Sequence, residues 1–268
     1  MALVVNTNIA SLNAQRNLTK SQGDLNQSLQ RLSSGLRVNS AKDDAAGLFS
    51  AEKMTADIRG ANQGARNALD GISLSQVAEG ALAEISNNLQ RIREIAVQSA
   101  SGTVEDRTGL QAEATQLAET NTDIIANTKF NGVAVLSAGG SIQFQTGADA
   151  IDVVVISLTT ATITTAGTTS VSTSANAIAS LTSLDADIDA MSTLRATFGA
   201  VQNRFESVIS NLQSLSENTS AARSRILDAD FAAETAKLTR AQILQQAGTS
   251  ILSQANTLPQ SALSLLQG

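Results

Sequence analysis

The side chains that carry out most enzyme chemistry are missing from this sequence, which contains no cysteine and no histidine. Thiol nucleophiles, imidazole bases, disulfides and Cys/His metal sites are therefore excluded. Carboxylates remain, and they cluster at Asp43-Asp44 and at Asp185, Asp187 and Asp189. Because Asp and Glu near helix starts usually act as caps or dipole partners, we interpret both clusters as helix caps. We expect no catalytic residue, no cofactor and no bound metal.

The composition argues against two further classes of function. The net charge is −6 and no run of five basic residues occurs, so binding to nucleic acid is not expected. Nothing resembles a transmembrane span or a cleaved secretory signal, which taken alone indicates a cytoplasmic protein. The leucine-rich terminal helices lack the dense Lys and Arg of interfacial helices, so no membrane insertion is expected.

The scarcity of aromatic residues predicts long helices. Aromatics make up 2% of the chain, with six Phe and no Trp or Tyr. Since aromatic rings supply much of the buried area of compact cores, a chain without them buries its surface through many small contacts along long helices.

One stretch, from Leu184 to Ile226, has the clearest helical pattern. Apolar residues recur there at spacings of four and three, with one slip between Arg195 and Val201. This pattern predicts a helix about 65 Å long at roughly 1.5 Å per residue. The slip argues against a regular two-stranded coil. We therefore expect its partners within the same chain, on similar apolar seams at 78–96 and 110–124.

Both ends of the chain are also predicted to be helical. Leu18, Leu25 and Leu32 are spaced by seven residues, Asn6, Thr7 and Asn8 are candidate N-caps, and Ser33-Ser34-Gly35 marks a break. This helix packs either on its own domain or against another chain, and we expect it to become ordered only once a partner covers its leucines. The last helix is predicted from Phe231 to Thr257.

The middle of the chain contains two more helices and the predicted strands. A helix is expected from Ala45 to about Ser99, interrupted near Asp70-Gly71 because glycine is costly inside a helix. Another is expected at 106–127. Asn131-Gly132 is a strong turn signal, and β-branched runs at 133–136, 141–145 and 151–158 predict one or two hairpins. Residues 159–180, rich in Thr and Ser, are expected to form a surface loop or a small β addition.

These elements predict a mainly α fold. We expect a long antiparallel helical rod, a coiled-coil-like bundle, with a small β-hairpin region and paired N- and C-terminal helices. The predicted parts are the paired termini at 1–42 and 227–268, the rod at 43–158 and 181–226 with a hairpin near 133–158, and a short variable loop at 159–180.

Several sequence strings resemble bacterial flagellin. In the N-terminal half the resemblance is carried by RLSSGLRVNSAKDDAAG at 31–47, NALDGIS at 67–73, LQRIREIAVQSA at 89–100 and KFNGV at 129–133. Near the other end it is carried by SRILDADF at 224–231 and ANTLPQSALSLL at 255–266. The strings are long and occur in the family's order. Together the resemblance covers about residues 1–160 and 181–268.

The resemblance implies a structural function. Flagellins polymerise into the helical filament that a rotary motor turns for swimming, with their paired termini in the inner tube and the rod in the next shell. They leave the cell unfolded through the flagellar type III export channel. This implies an extracellular, filament location instead of a cytoplasmic one. The implied partners are other copies of the chain, an export chaperone, the filament cap and the hook-junction proteins. The short middle implies little or no outer domain.

Three sets of candidate residues follow from this comparison. The leucines and isoleucine of the two termini are expected to pack against each other as the self-assembly core, namely Leu18, Leu25, Leu29 and Leu32 with Leu238, Leu244, Ile251 and Leu258. Similarity to the family's receptor-contact string marks Arg91, Ile95 and Glu113 as candidate contacts for Toll-like receptor 5. Thr159, Thr160 and Thr162 are candidate O-glycosylation sites.

Three alternative functions were weighed against a filament subunit. A hook–filament junction protein would have similar ends, but the strong signatures at both ends favour flagellin. An enzyme would have to rely on the carboxylate clusters alone. A membrane-active amphipathic helix would need a more basic polar face than either terminus has.

Overall fold

The computed structural model describes residues 7–164 and 169–266, with side chains described as far as residue 257. This part contains the helices α1 (Ile9–Ser34), α2 (Ala45–Ala100), α3 (Thr108–Asn127), α4 (Ser174–Leu227) and α5 (Phe231–Leu266). It also contains the strands β1 (Lys129–Phe130), β2 (Val133–Ala134), β3 (Gly140–Gln145) and β4 (Val153–Leu158). The predicted mainly α fold, with paired terminal helices and small hairpins, is confirmed.

Local hydrogen bonds explain where the helices begin and end. Asn8 caps α1, since its side chain accepts a 3.1 Å hydrogen bond from the backbone N–H of Ser11. Gly35, with φ of 71°, ends α1 by donating its N–H to the carbonyl of Arg31. Asp106 precedes α3 and accepts bonds of 2.8 and 2.6 Å from the N–H and hydroxyl of Thr108. Helix α3 therefore begins two residues later than predicted. Helix α5 runs on to Leu266, farther than the predicted Thr257.

The chain divides into two compact units, the first made of residues 1–55 and 219–268. Helices α1 and α5 are its main elements and lie side by side. The two segments that follow α1 and α4 are also paired: the N–H of Arg37 donates to the carbonyl of Leu227 at 2.6 Å, and that of Ala229 donates to Gly35 at 2.9 Å. This short antiparallel bridge ties the end of α1 to the start of α5.

The second unit, residues 56–218, has a continuous hydrophobic core. Helix α4 contributes four fully buried side chains spaced by seven residues, Leu184, Met191, Phe198 and Phe205. Helices α2 and α3 contribute Leu82, Ile85, Leu89, Ile92, Ala114 and Ala118 to the same cluster. The predicted partnership of these three apolar seams is therefore confirmed. Leu215, a predicted member of the α4 seam, is instead 49% exposed.

Helix α2 is continuous, so the predicted interruption near Asp70-Gly71 is wrong. Gly71 is required for packing instead, because a Cβ there would lie 2.5 Å from Cζ of Phe205. The Phe205 ring in turn meets Phe144 edge-on, with 5.6 Å between ring centroids. Gly60 plays a similar part, since a Cβ there would lie 2.5 Å from Cβ of Ala148.

Two antiparallel hairpins follow α3. Strands β1 and β2 are joined by Asn131 and Gly132, whose φ angles of 48° and 81° are both positive, as a type I′ turn requires. Strands β3 and β4 pair from Gly140 with Leu158 to Gln145 with Val153. The prediction of one or two hairpins after α3 is confirmed.

The predicted loop at 159–180 is shorter and better anchored than expected, because α4 already begins at Ser174. Ala161 and Val171 are 3% and 0% exposed and belong to the core of the second unit. The backbone of Ala161 bonds to the carbonyl of Leu136 at 2.9 Å, and the hydroxyl of Ser99 donates to the carbonyl of Val171 at 2.6 Å. The expectation of a surface loop or β addition is therefore wrong for these flanks; residues 165–168 lie outside the described part.

Candidate functional site

The helix pair α1–α5 is packed through unusually small side chains. On α1 the buried residues are Ser11, Ala14, Ser21 and Ser28, and half-buried Leu18, Leu25 and Leu32 alternate with them. Their spacing of three and four residues is that of a helix packed lengthwise on another helix.

Helix α5 presents a matching row, at residues 234, 238, 241, 245, 248, 252 and 255. Glu234, Ala241 and Ala255 are buried in this row. A Cβ on Gly248 would lie 3.3 Å from Cδ1 of Leu18, so the glycine permits a close approach of the helices.

Two hydrogen bonds set the register of this antiparallel pair. Near one end, the amide Nδ2 of Asn8 donates to the carbonyl of Ala255 at 2.7 Å. Near the other, the hydroxyl of Ser28 donates to Oε1 of Glu234 at 2.7 Å, and this bond is buried. The α1 positions thus rise as the α5 positions fall, which places Leu18 opposite Gly248.

Glu234 is the buried charged residue of this contact, with 5% of its surface exposed. Nζ of Lys237, one helical turn later, lies 3.1 Å from its carboxylate. Burial raises the pKa of the Glu234 carboxyl, but the hydrogen bonds from Ser28 and Lys237 outweigh that effect, so the pKa lies below its ordinary value. The carboxylate is therefore ionised and bridges the two helices at neutral pH.

The predicted self-assembly residues fall into two groups. Leu18, Leu25, Leu32 and Leu238 are half-buried on the rows through which α1 and α5 meet. Leu29, Leu244 and Ile251 are 48%, 52% and 58% exposed. Within one chain the predicted mutual packing is wrong for these three, because serine, alanine and glycine occupy the contact and leave them outside it. The side chain of Leu258 lies outside the described part.

Further apolar side chains are exposed on the same two helices. Ile9 and Leu12 on α1 are 67% and 51% exposed, and Ile243 on α5 is 60% exposed. Leucine periodicity alone missed these residues and also missed the buried serines. A search for small residues at spacings of three and four would have found the buried contact.

The candidate receptor residues lie on α2 and α3. The guanidinium of Arg91 contacts Glu113 at 2.8 Å and Glu94 at 3.0 Å. These hydrogen bonds, first to Glu113 and then to Glu94, raise the pKa of Arg91. Arg91 and Glu113 are exposed, but Ile95 is 1% exposed and belongs to the core. Ile95 as a surface contact is therefore wrong, since its side chain packs inward with the seam of α2.

The two carboxylate clusters have structural partners. Asp43 accepts bonds from the backbone N–H groups of Asn39 and Ser40, and Asp44 accepts from Gly47, so this cluster caps as predicted. The predicted cap is wrong for the other cluster, which lies inside α4. There Asp185 pairs with Arg93 at 2.6 Å, and buried Asp187 accepts bonds from the N–H and hydroxyl of Thr164.

The remaining candidate sites are simply described. Thr159, Thr160 and Thr162 are all exposed on the segment after β4. Among the described residues, no group of three or more acidic side chains is arranged to hold a metal ion. None of the helices in the described ranges is both long and apolar enough to cross a bilayer.

Comparison with protein families identifies two matching regions. The bacterial flagellin N-terminal helical region matches residues 5–140, and the bacterial flagellin C-terminal helical region matches residues 181–266. A flagellin of Halalkalibacterium halodurans is 42% identical over 99% of this chain and 100% of its own length. A flagellin of Xenorhabdus nematophila is also 42% identical, over the full length of both chains.

Solved structures agree with these matches. The crystal structure of Bacillus cereus flagellin has a TM-score of 0.52 and 32% identity, and the match covers 59% of this chain and 94% of that one. The structure of a putative flagellar hook-associated protein from Vibrio parahaemolyticus has a TM-score of 0.58, covering 69% of this chain and 100% of that one. At 13% identity the second likeness concerns the fold alone.

Proposed function

This chain belongs to the bacterial flagellin family, and from that premise we propose how its parts divide the work of building a filament. The chain is a structural subunit that self-assembles into the bacterial flagellar filament for swimming motility, and it is not an enzyme. Its full-length relatives are flagellins, so the alternative of a hook–filament junction protein is not favoured.

The paired termini, residues 1–42 and 227–268, form the inner tube in this proposal. Its main support is the apolar surface that α1 and α5 leave outside their mutual contact, which consists of Ile9, Leu12, Leu29, Ile243, Leu244 and Ile251. Exposed apolar side chains grouped on one element mark association sites. Leu18, Leu25, Leu32 and Leu238 stabilise the pair that carries this surface, and Leu258 continues the pattern in the sequence.

Association and ordering are coupled in this mechanism. The termini bury few large side chains within one chain, so neighbouring subunits supply the apolar area that offsets the cost of ordering them. Contacts that repeat head to tail without closing a ring produce an open helical polymer. Residues 43–158 and 181–226 form the next shell in this proposal, with 159–180 as the short variable segment.

Deletion of either terminus tests this assignment. We expect chains lacking residues 1–30 or 240–268 to remain soluble and to form no filaments under electron microscopy. The second unit, residues 56–218, is intact in both deletions, so its helical circular dichroism should persist. Filaments formed by either truncated chain would refute the role of the paired termini.

Export and partners follow from the family. We expect the chain to leave the cell through the flagellar type III export channel and to act outside the cell. On this route it would be met by an export chaperone, by the filament cap and by hook-junction proteins. A secretion assay in cells with and without the export apparatus tests the route: chain found in the medium without that apparatus would contradict it.

Toll-like receptor 5 is the proposed host partner. Arg91 and Glu113 support this because they form an exposed, ion-paired cluster on α2 and α3, while Ile95 holds α2 in place from the core. We expect monomer to stimulate receptor-expressing cells and Arg91→Ala to shift the dose–response curve to higher concentration. Arg66→Ala, which removes another exposed arginine of α2, is the control. An unchanged response to Arg91→Ala would reject the site.

Thr159, Thr160 and Thr162 are proposed acceptors for O-linked sugars. All three hydroxyl-bearing side chains are exposed, which a glycosyltransferase requires. An intact-mass measurement of chain purified from its filament tests this, since a mass equal to that of the bare polypeptide would exclude modification.

A further inference from the structure

An apolar cleft opens on the second unit between α2 and the two hairpins. Its volume is about 320 Å³, which is ample for one aliphatic side chain. Five large apolar residues line it, with Asp70 at its side: Leu74, Phe130, Val133, Ile142 and Phe144. Val133 is 46% exposed, so part of this apolar lining faces solvent in the single chain.

The turn between β3 and β4 presents an isoleucine to solvent. Ile151 is 86% exposed, more than any other large apolar residue whose side chain is described. Hydrogen bonds fix the turn: the N–H of Thr146 donates to the carbonyl of Asp152 at 2.8 Å, and that of Asp152 donates to Asp149 at 3.0 Å. The turn also packs on α2, where Gly60 leaves room for Ala148. The isoleucine is thus held outward by an ordered turn.

The charges around these two features are complementary. Exposed Asp149 and Asp152 flank Ile151 on the turn. Around the cleft, exposed Lys129 adjoins Phe130, and exposed Arg66 lies one helical turn before Asp70. The two cations outnumber the single acid there, so the acidic turn is attracted to the cleft.

The two features lie at different heights on α2. The turn packs at Gly60, and the cleft lies beside Asp70, ten residues further on. At 1.5 Å per residue this is an offset of about 15 Å, so Ile151 does not fill the cleft of its own chain. Two different surfaces at different heights form a heterologous contact, which repeats without closing when the copies are displaced along their length.

We propose that Ile151 of one subunit inserts into the cleft lined by Leu74, Phe130 and Phe144 of a neighbouring subunit, a second copy of this chain. The contact rests on the self-assembly of the family and not on the assignment of α1 and α5 to the inner tube. It therefore stands or falls separately from the deletion experiment.

Disulfide trapping tests the contact directly, because the natural chain has no cysteine. A full-length chain carrying Ile151→Cys and Asp70→Cys is polymerised, oxidised mildly and run on a non-reducing gel. We expect a ladder of covalent oligomers from filaments and none from dilute monomer. A bond within one chain is excluded by the offset of about 15 Å, since bridged Cα atoms lie within about 7 Å.

The matched control carries Ile178→Cys with Asp70→Cys. Ile178 is also exposed, at 58%, and lies on α4 of the same unit. The control should give filaments without the ladder. Filaments of the test variant that remain monomeric on the gel, or an equal ladder from the control, would overturn the proposal.

A charge introduced at the same position gives a second measurement that does not depend on cysteine chemistry. We expect Ile151→Asp to raise the concentration needed for polymerisation at least about tenfold, as for the loss of one buried isoleucine. Ile178→Asp should change it by no more than about twofold. Circular dichroism of both monomers checks that they fold. Equal polymerisation of Ile151→Asp and the natural chain would rule the contact out.

Discussion

Glu234 shows how a single charged residue can hold two helices in register. Its carboxylate is buried between α1 and α5, where Ser28 and Lys237 donate to it. A hydrogen bond to a charged group contributes about 1.5–3 kcal/mol, and a buried charge left without partners costs more. The ionised form of Glu234 is therefore part of what specifies this pairing.

The stability of the first unit should depend on pH through Glu234. Because folding lowers the pKa of this carboxyl below 4.5, its contribution is fully present above that value and is lost as the pH falls through the folded-state pKa. We expect Glu234→Gln to lower the urea midpoint at neutral pH and to flatten its decline below about pH 4.5.

Glu52→Gln is a suitable comparison for that titration. Glu52 lies in the same unit, and its side chain is exposed. This variant should follow the natural chain across the whole pH range when unfolding is monitored by circular dichroism. If Glu234→Gln and the natural chain lost stability in parallel on acidification, the buried carboxylate would not be the cause.

At the scale of helices, α2 offers two glycines that differ in one respect. A Cβ on Gly71 would meet the buried Phe205 ring at 2.5 Å, whereas a Cβ on Gly80 would have no neighbour within 4 Å. Both residues lie inside the same helix. The glycine at 71 therefore permits packing, and the one at 80 only weakens the helix.

Alanine at these two positions should have opposite effects on stability. Gly80→Ala should stabilise the second unit by about 1 kcal/mol through helix propensity. Gly71→Ala gains the same propensity but overpacks the core, which costs about 1–3 kcal/mol. Because Phe205 is fully buried and in contact with Phe144, we expect net destabilisation. Thermal unfolding of the two variants measures the difference, and stabilisation by Gly71→Ala would contradict the close approach.

The apolar seams were readable from sequence because large side chains at regular spacing dominate the pattern. Leu184, Leu82 and Leu89 were placed correctly for this reason. The continuity of α2 was missed because a glycine has the same local cost whether or not a ring packs on it. Ile95 was misplaced because the comparison identified a string of residues without the direction in which each side chain points.

The contact between α1 and α5 was only half predictable. Leu18, Leu25 and Leu32 stand out by their spacing, but Ser11, Ser21 and Ser28 have no hydropathic signal. Their burial depends on the opposing residues of α5, which lie more than 200 positions away in the chain. The pairing of these two helices was inferred correctly from the mirrored layout, but its register was not.

At the scale of the whole molecule, the exposed apolar residues of α1 and α5 should control polymerisation. Ile251 is 58% exposed and makes no part of the α1–α5 row. We expect Ile251→Asp to fold as the natural chain does but to need a much higher concentration to form filaments, at least about tenfold. Light scattering across a dilution series gives this threshold.

Thr249→Asp separates the loss of apolar surface from the added charge. Thr249 is exposed on the same helix two residues away, and aspartate there introduces the same charge without removing a large apolar group. Its threshold should stay within about twofold of the natural value. A Thr249→Asp threshold as high as that of Ile251→Asp would assign the effect to charge.

The small side chains between α1 and α5 have a consequence for the life cycle of the subunit. Serine, alanine and glycine bury little apolar area, and hydrophobic stabilisation scales with that area at about 25 cal/mol per Å². The pair is therefore expected to have a low free energy of unfolding when alone, and to gain stability by mass action as the concentration of neighbours rises. A single sequence can thus be easy to unravel as a free chain and durable once incorporated, with no chemical modification needed to change from one state to the other.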